Sequence, residues 1–286
     1  MDWLLTRAGP IAKTRFAHAN LPCIFAIFGQ KFIMKIVISP AKSLNYERPL
    51  PTDRASQPEF LEEANRLNKI LSKKSPRSLA RLMDISADLA TLNWQRNQEF
   101  SIPFSKENAR PAVYAFDGDV YQGLDAYTLP ERLHGPLQEH LRILSGLYGM
   151  LRPFDLIQPY RLEMGTQLKI GRKKNLYEFW KTTLTSRLNQ ELNGSDFLVN
   201  LASNEYFGAI DKKGLAVPVI SPQFKDWKND NLKVIGFFAK KARGAMVRYI
   251  VESGARTLED IRGFNSLEYS YSKEHTLRED QPVFVR

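Results

Sequence analysis

The residues best suited to chemistry lie in a basic stretch near the end of the chain. Lys240, Lys241 and Arg243 are followed by Gly244 and Arg248, with no acid among them. On a helix, Lys241, Gly244 and Arg248 would line one side, with the other two cations beside them. Such a stripe suits a DNA phosphate backbone, because each Lys or Arg displaces condensed counterions, and a glycine admits close backbone approach. The alternative is a solvated helix face without a ligand.

Two glycine-containing segments have the outline of a helix–hairpin–helix, in which turn glycines expose backbone N–H groups to a DNA phosphate. The first covers residues 141–149 and holds Gly146 and Gly149 in its turn. The second covers residues 258–265, where Asn265 replaces the second glycine. Asparagine tolerates positive φ, so this turn could survive. For each segment a plain helix C-terminus is the alternative.

A proline-broken loop over residues 152–165 carries two arginines and two acids. These are Arg152, Asp155, Arg161 and Glu163. Arginine forks bind phosphate through two parallel hydrogen bonds, but they form structural salt bridges with carboxylates equally well. The residues leave both interpretations open.

Two short motifs contain side chains that an enzyme could use. Ser39 lies three residues before Lys42, after a predicted strand, and offers a nucleophile with a base or a phosphate cradle. Asp117 and Asp119 flank a glycine and offer paired carboxylates for a metal or for acid–base work. The structural alternatives are a helix N-cap for Ser39 and an ordinary turn for the two aspartates, and the turn is favoured.

No pattern predicts a metal site or a cofactor. A single cysteine and four scattered histidines exclude a Cys/His zinc site. Direct iron storage is disfavoured for want of ligands.

A mixture of helices and strands must position these residues. Residues 35–39 predict a buried strand bounded by a proline. Helical spacing and start signals predict helices over residues 58–71, from Ser75-Pro76, and over 86–100, 136–144, 176–192 and 239–252. Further strands are predicted over residues 111–116, 197–201, 217–220, 233–238 and 282–285. The order lacks a regular strand–helix alternation, so we expect an α+β class (a mixed α/β fold) in one compact domain rather than a doubly wound sheet.

Composition limits the class of protein without naming a function. The 286 residues are enough for a substantial core, and the formal net charge is +10. No apolar run approaches the length of a membrane span. Residues 1–33 differ in composition from the rest of the chain, because they are basic and contain a short apolar patch. They match a signal peptide poorly. We expect an unstructured or mis-annotated leader over residues 1–33 and a domain over residues 34–286.

From Met34 onward the chain resembles the YaaA family of bacterial peroxide-stress proteins. The segments that carry the resemblance are, in order, residues 34–44 (MKIVISPAKSL), 116–121 (FDGDVY), 144–149 (LSGLYG), 152–153 (RP), 158–165 (QPYRLEMG), 200–203 (NLAS), 240–244 (KKARG) and 263–265 (GFN). They span nearly the whole chain after residue 33, and they support Met34 as the true start.

The resemblance implies a cytoplasmic protein that limits hydrogen-peroxide damage and is associated with lowered free intracellular iron. It implies a mixed α/β fold with a positively charged cleft, a helix–hairpin–helix and binding to duplex DNA. It supplies no settled catalytic residues.

Two functional hypotheses follow, and the first is favoured. In the first, a non-enzymatic protein, expected to be a monomer without cofactor, binds duplex DNA through its phosphate backbone with little sequence specificity. Its candidate DNA-binding residues are Lys42, Gly146, Gly149, Arg152, Arg161, Lys240, Lys241, Arg243, Gly244 and Arg248. In the second, an enzyme of unknown reaction acts in the same cleft on nucleic acid or a small anionic substrate. Its candidate catalytic residues are Ser39, Lys42, Asp117, Asp119 and Glu163.

Overall fold

A buried strand organises the fold. The computed structural model describes residues 34–193 and 195–286, and the predicted leader over residues 1–33 lies outside them. Strand β1 (Lys35–Ile38) is built from β-branched residues, and Ile36, Val37 and Ile38 are fully buried. A strand with no exposed face belongs inside a sheet that is covered on both sides.

The described residues form the following elements after β1. The helices are α1 (Leu61–Leu71), α2 (Pro76–Met83), α3 (Ala87–Glu99), α4 (Ala112–Ala115), α5 (Asp119–Leu124), α6 (His134–His140), α7 (Leu176–Glu191), α8 (Asn204–Phe207), α9 (Gly236–Ser253) and α10 (Leu258–Arg262). The strands are β2 (Ser43–Leu44), β3 (Arg110–Pro111), β4 (Phe116–Asp117), β5 (Leu141–Ser145), β6 (Gly149–Leu151), β7 (Leu156–Ile157), β8 (Leu198–Asn200), β9 (Val219–Ile220), β10 (Gln223–Lys228), β11 (Asn231–Lys233), β12 (Ser270–Tyr271) and β13 (Val283–Val285). Among these elements, no helix is both long and apolar enough to cross a membrane.

The central sheet has the order β6-β5-β1-β8-β9. β1 pairs in parallel with β5 on one side and with β8 on the other, and β9 continues in parallel beside β8. Strand β6 closes the other edge in antiparallel. The chain therefore leaves β1 first toward one side and later toward the other. Such a switch point opens a crevice at the carboxyl ends of the strands, where ligands bind in open α/β sheets.

A second sheet, with the order β11-β10-β13-β12, lies near helix α9. Its core is aromatic, since Phe224 contacts Phe264, Tyr269 and Phe284. The two sheets and their helices confirm the mixed α/β class. The central sheet is more parallel than the irregular order of elements led us to expect.

Local signals predict many element starts correctly. The side chain of Ser75 accepts a hydrogen bond from the Ser78 N–H at the start of α2, and Ser86 caps α3 in the same way through the Leu89 N–H. These hydroxyls satisfy backbone donors that the first helical turn leaves free. The strands predicted around residues 35–39, 197–201 and 282–285 and the helix over 176–192 are confirmed within a residue or two.

The helix predicted over residues 136–144 is confirmed only as far as His140, and the first helix–hairpin–helix segment is wrong. Helix α6 ends at His140, and the segment from Leu141 to Leu151 is a strand–turn–strand hairpin. Leucines at helical spacing suggested a helix, but a short apolar run suits a fully buried strand equally well. Burial of all five β5 residues decided the outcome.

Three other segments differ from the prediction. Residues 112–115 form a single helical turn instead of a strand, and the strand expected over residues 233–238 ends at Lys233. The second hairpin candidate contains α10, but its turn at Gly263 is followed by a bridge between Ser266 and Tyr269 instead of a helix.

Helices α5 and α9 pack closely through two glycines. A Cβ built on Gly244 would overlap the carbonyl oxygen of Val120, and one on Gly123 would overlap the carbonyl oxygen of Lys241. Gly244 therefore allows the backbone of α5 to approach α9 closely. This contact holds the basic helix α9 against α5, which follows directly after β4.

Candidate functional site

Two serines join the ends of the central strands. Ser39 follows β1, and its hydroxyl accepts a hydrogen bond from the Ser203 N–H at 2.9 Å and donates one to the Ser203 hydroxyl at 3.3 Å. Ser203 also caps α8, accepting from the Tyr206 N–H. The hydroxyl of Ser39 therefore ties β1 to the chain after β8, and it makes no hydrogen bond to Lys42 in the described part of the chain.

Lys42 pairs with a carboxylate instead. Its Nζ lies 2.8 Å from Oε2 of Glu163, whose Oε1 receives a hydrogen bond from Arg161 at 3.1 Å. The Nε of Arg161 is buried and has no hydrogen-bond partner among the described residues. Burial lowers the pKa of Arg96, and the nearby charge of Arg161 acts in the same direction. Two cations, Lys42 and Arg161, thus share one carboxylate, and Arg96 lies close enough to Arg161 to feel its charge.

The two candidate aspartates lie next to this group. Asp117 is exposed and pairs with Ser43 in the β2–β4 ladder, while Asp119 begins α5. A Cβ on Gly118 between them would lie 3.0 Å from that of Ala41, in the loop that carries Lys42. The Nζ of Lys240 lies 4.0 Å from Asp119. Lys42, Asp119 and Lys240 therefore share one neighbourhood at the carboxyl end of β1.

The cations of α9 differ in their partners. Arg248 pairs with Glu252 at 2.9 Å and donates to the backbone carbonyls of Leu124 and Asp125, so it fastens the end of α5. Lys241 and Arg243 are half-buried and make no ion pair or hydrogen bond within residues 34–193 and 195–286. Burial lowers the pKa of Arg243, with no charged neighbour contributing. An uncompensated guanidinium in this position favours an anion.

Three of the candidate DNA-binding residues do not join this site. Strand β6 runs back along β5, so Arg152 lies toward the amino end of β1, where it pairs with Asp155 at 2.9 Å. Gly146 allows the Leu162 carbonyl to approach the hairpin turn, and Gly149, with φ of 69°, lies under the Trp180 ring. All three have structural roles in the described chain.

Sequence reasoning missed Arg96 and Ser203. Arg96 lies on α3, and no residue near it in the sequence indicates that the fold brings it close to Arg161. Ser203 was noted only as part of a family segment. The signal for Ser203 was available, because a serine after a predicted strand and before an acid is a helix N-cap pattern.

A group of buried tyrosines lies beneath the site and predicts sensitivity to alkali. Tyr121 donates to the Ser39 carbonyl, and Tyr160 shares a hydrogen bond of 2.7 Å with Ser145. Burial raises the pKa of Tyr160 well above its usual range, and burial and Tyr160 together raise that of Tyr46.

We expect Tyr160→Phe to lower the free energy of unfolding by about 1 kcal/mol at pH 7, where it removes one buried hydrogen bond. Above a pH of about 10 the unfolded chain ionises Tyr160, while the folded chain keeps it neutral. The free energy of unfolding of wild type therefore falls by about 1.4 kcal/mol per pH unit because of this group, and the variant does not have this loss. Urea unfolding at pH 7 and at alkaline pH measures the difference. A difference that does not change with pH would show that Tyr160 is solvated.

The fold and site define a class of protein, a mixed α/β protein with paired cations and carboxylates at the switch point of its central sheet. Comparison with known sequences gives the family. A sequence model for "Peroxide stress protein YaaA" matches residues 34–275. A UPF0246 protein of Flavobacterium johnsoniae is 59% identical over 238 residues, covering 83% of this chain and 94% of the relative. UPF0246 proteins of Flavobacterium psychrophilum and Hahella chejuensis are each 54% identical, over 257 and 241 residues, covering 88% and 84% of this chain and 100% and 94% of the relatives.

The chain therefore belongs to the YaaA family of peroxide stress proteins, also named UPF0246. The resemblance read from the sequence is confirmed.

Proposed function

We propose that this peroxide stress protein binds duplex DNA through the phosphate backbone, with helix α9 as the main contact. The main support for this proposal is that Lys241 and Arg243 lie half-buried on this helix without a carboxylate partner in the described chain. A cation that loses part of its hydration without gaining a counter-ion is unfavourable, and a bound phosphate removes that cost.

The surrounding charges support the same ligand. Lys240 is 60% exposed and its pair with Asp119 is long, at 4.0 Å. Exposed pairs of this kind contribute about 1 kcal/mol or less, so a phosphate can compete for the lysine. Lys42 and Arg161 share the single carboxylate of Glu163, so a phosphate could compete for either cation.

DNA binding would connect the fold with protection from peroxide. The condensed counterions that a basic protein displaces from DNA include any ferrous ions held there. Iron removed from the phosphates generates hydroxyl radicals away from the bases. In this proposal the effect on iron is indirect, and the protein needs no iron ligands of its own.

An enzyme acting on a small anionic substrate is the second candidate, favoured by the convergence of Ser39, Lys42, Asp119 and Glu163. The crevice between Lys42, Tyr160, Glu163 and Tyr206 has a volume of only about 10 Å³, the space of about one water molecule. A substrate would have to separate Lys42 from Glu163. The DNA-binding proposal requires no such opening.

The double variant Lys241→Gln, Arg243→Gln tests the proposal. Because two phosphate contacts are lost, we expect weaker binding to a labelled duplex and a salt slope reduced by about two. Fluorescence anisotropy over a series of salt concentrations measures both quantities, and circular dichroism checks folding. The double variant Lys69→Gln, Lys73→Gln, on two exposed lysines at the end of α1 and just after it, removes the same two charges and controls for net charge. Duplex affinity that barely changes with salt in wild type would contradict the proposal.

A further inference from the structure

A hairpin next to α9 presents an exposed tryptophan. Strands β10 and β11 pair in antiparallel, with Trp227 opposite Leu232. Along β10, Phe224 and Asp226 are buried, so the alternation of side chains turns Trp227 to the opposite face of the sheet. Trp227 is 55% exposed, and Val234, two residues beyond Leu232, is 54% exposed. The His275 ring meets Trp227 at 84° without stacking on it.

The charges of the same hairpin are mostly free. Lys225, Lys228 and Lys233 make no ion pair within the described chain. Asp226 is occupied, since it lies 2.7 Å from Arg286 and accepts a hydrogen bond from Tyr269. Asp230, in the turn, is the remaining acid of the hairpin. Lys225 shares the face of Trp227, whereas Lys228 and Lys233, the latter opposite Asp226, belong to the other face of the hairpin. Beside the tryptophan there is therefore a lysine without a carboxylate partner in the described chain.

The hairpin is continuous with the proposed DNA-binding helix. Strand β11 ends at Lys233, and α9 begins three residues later at Gly236. Phe237, in the first turn of α9, is 52% exposed. A strand of DNA bound along α9 would thus reach an aromatic surface that has Lys225 on the same face.

This combination of side chains selects one kind of occupant. Aromatic faces on which bases stack, together with cations that track the backbone, bind single-stranded nucleic acid. In protein–protein interfaces lysine is depleted instead, so a protein partner fits the surface less well. Duplex DNA has no free base face for Trp227.

We propose that Trp227 stacks on an unpaired base of DNA while Lys225, on the same face of the sheet, binds an adjoining phosphate. The inference deepens the proposed function and rests on it for the contact along α9. Its consequence is a preference for DNA with exposed bases, such as frayed, gapped or single-stranded DNA, over an intact duplex.

The test compares a short oligo-dT with a duplex in anisotropy titrations. We expect Trp227→Ala to weaken oligo-dT binding about tenfold, because one base stack is lost, and to leave duplex affinity within about twofold. Trp227→Phe should retain most of the affinity, since a ring remains. Leu277→Ala removes another exposed apolar side chain, 93% exposed, and should change neither affinity. Because Trp227 is exposed, its replacement is not expected to disturb folding.

Tryptophan fluorescence supplies an independent readout. Oligo-dT should quench the emission of wild type, and Trp227→Phe should lose that quenching while Trp3, Trp94 and Trp180 remain. Equal oligo-dT affinity for wild type and Trp227→Ala, or no binding of oligo-dT to wild type, overturns this inference. A different outcome separates the two proposals. If wild type showed no salt-dependent duplex binding but still bound oligo-dT through Trp227, the proposed function would be refuted and the stacking role of Trp227 would be supported.

Discussion

Gly244→Ala is expected to lower the free energy of unfolding by about 3 kcal/mol or more, or to prevent folding. The added methyl would overlap the Val120 carbonyl oxygen and approach the Leu124 nitrogen, both backbone atoms of α5. Backbone atoms cannot rotate away as a flexible side chain can, so the helices must separate. Overpacking of a rigid contact has costs of this size. Urea unfolding followed by circular dichroism measures the loss.

Gly236→Ala is the matched control for this prediction. Gly236 lies at the first position of the same helix, and a Cβ there meets no atom within 4 Å. Alanine is the better helix former, so this change should be neutral or slightly stabilising. If Gly244→Ala had the same free energy of unfolding as Gly236→Ala, the conclusion that α5 and α9 pack in close contact at Gly244 would be contradicted. DNA binding that failed in Gly244→Ala would be explained by displaced cations, without any contact between Gly244 and DNA.

Glu191→Gln is expected to cost about 3–5 kcal/mol of unfolding free energy. Glu191, at the end of α7, is 6% exposed and faces three cations, with Arg142 at 2.7 Å, Arg187 at 3.0 Å and Lys35 at 4.0 Å. The side chains of Lys35 and Arg142 are also 6% exposed. Arg187 keeps its pair with Glu59, and the charge of Glu139 still acts on Lys35. Removing Glu191 takes the paired carboxylate from the buried Arg142 and weakens the compensation of Lys35, which is the costly way to break a buried pair.

The pH dependence of Glu191→Gln gives this prediction a second readout. Burial first, and then the charge of Arg142, lowers the pKa of Lys35 to about 8. The folded protein gives up this proton while the unfolded chain keeps it up to a pH of about 10.4, so stability rises with pH over that interval. Glu191 raises the pKa of Lys35, so in the variant Lys35 gives up its proton at a lower pH than in wild type. The loss caused by the substitution should therefore shrink as the pH rises toward 8 and stay constant above it.

Asp53→Asn is the control for Glu191→Gln. It removes a carboxylate that pairs with Lys106 at 3.5 Å in full solvent exposure. Exposed pairs contribute little, so the change should cost less than about 1 kcal/mol. A cost of the same small size for Glu191→Gln would mean that the three cations remain hydrated in the folded protein.

The sequence by itself was sufficient for the family, the mixed α/β class and most element starts. These depend on local signals, such as the serines before α2 and α3 and the β-branched run of β1, and on ordered family segments. The basic helix was also predicted from its residues, although its start was placed three residues late. A proline, a cap or an apolar repeat acts within a few residues, so it can be read from the chain directly.

Only the tertiary structure decided which charges are left over for a ligand. Lys42 with Glu163, Arg142 with Glu191 and Lys240 with Asp119 are partners from distant segments, and their pairing depends on strand order and helix packing. The same holds for residues 141–149. Their apolar run is compatible with a helix or a strand, and the pairing of β5 with β1 decides for the strand. It holds as well for Trp227, which one alternation of the sheet turned outward. Ion pairing, sheet burial and exposure are set by contacts between remote parts of the chain, so no local pattern could specify them.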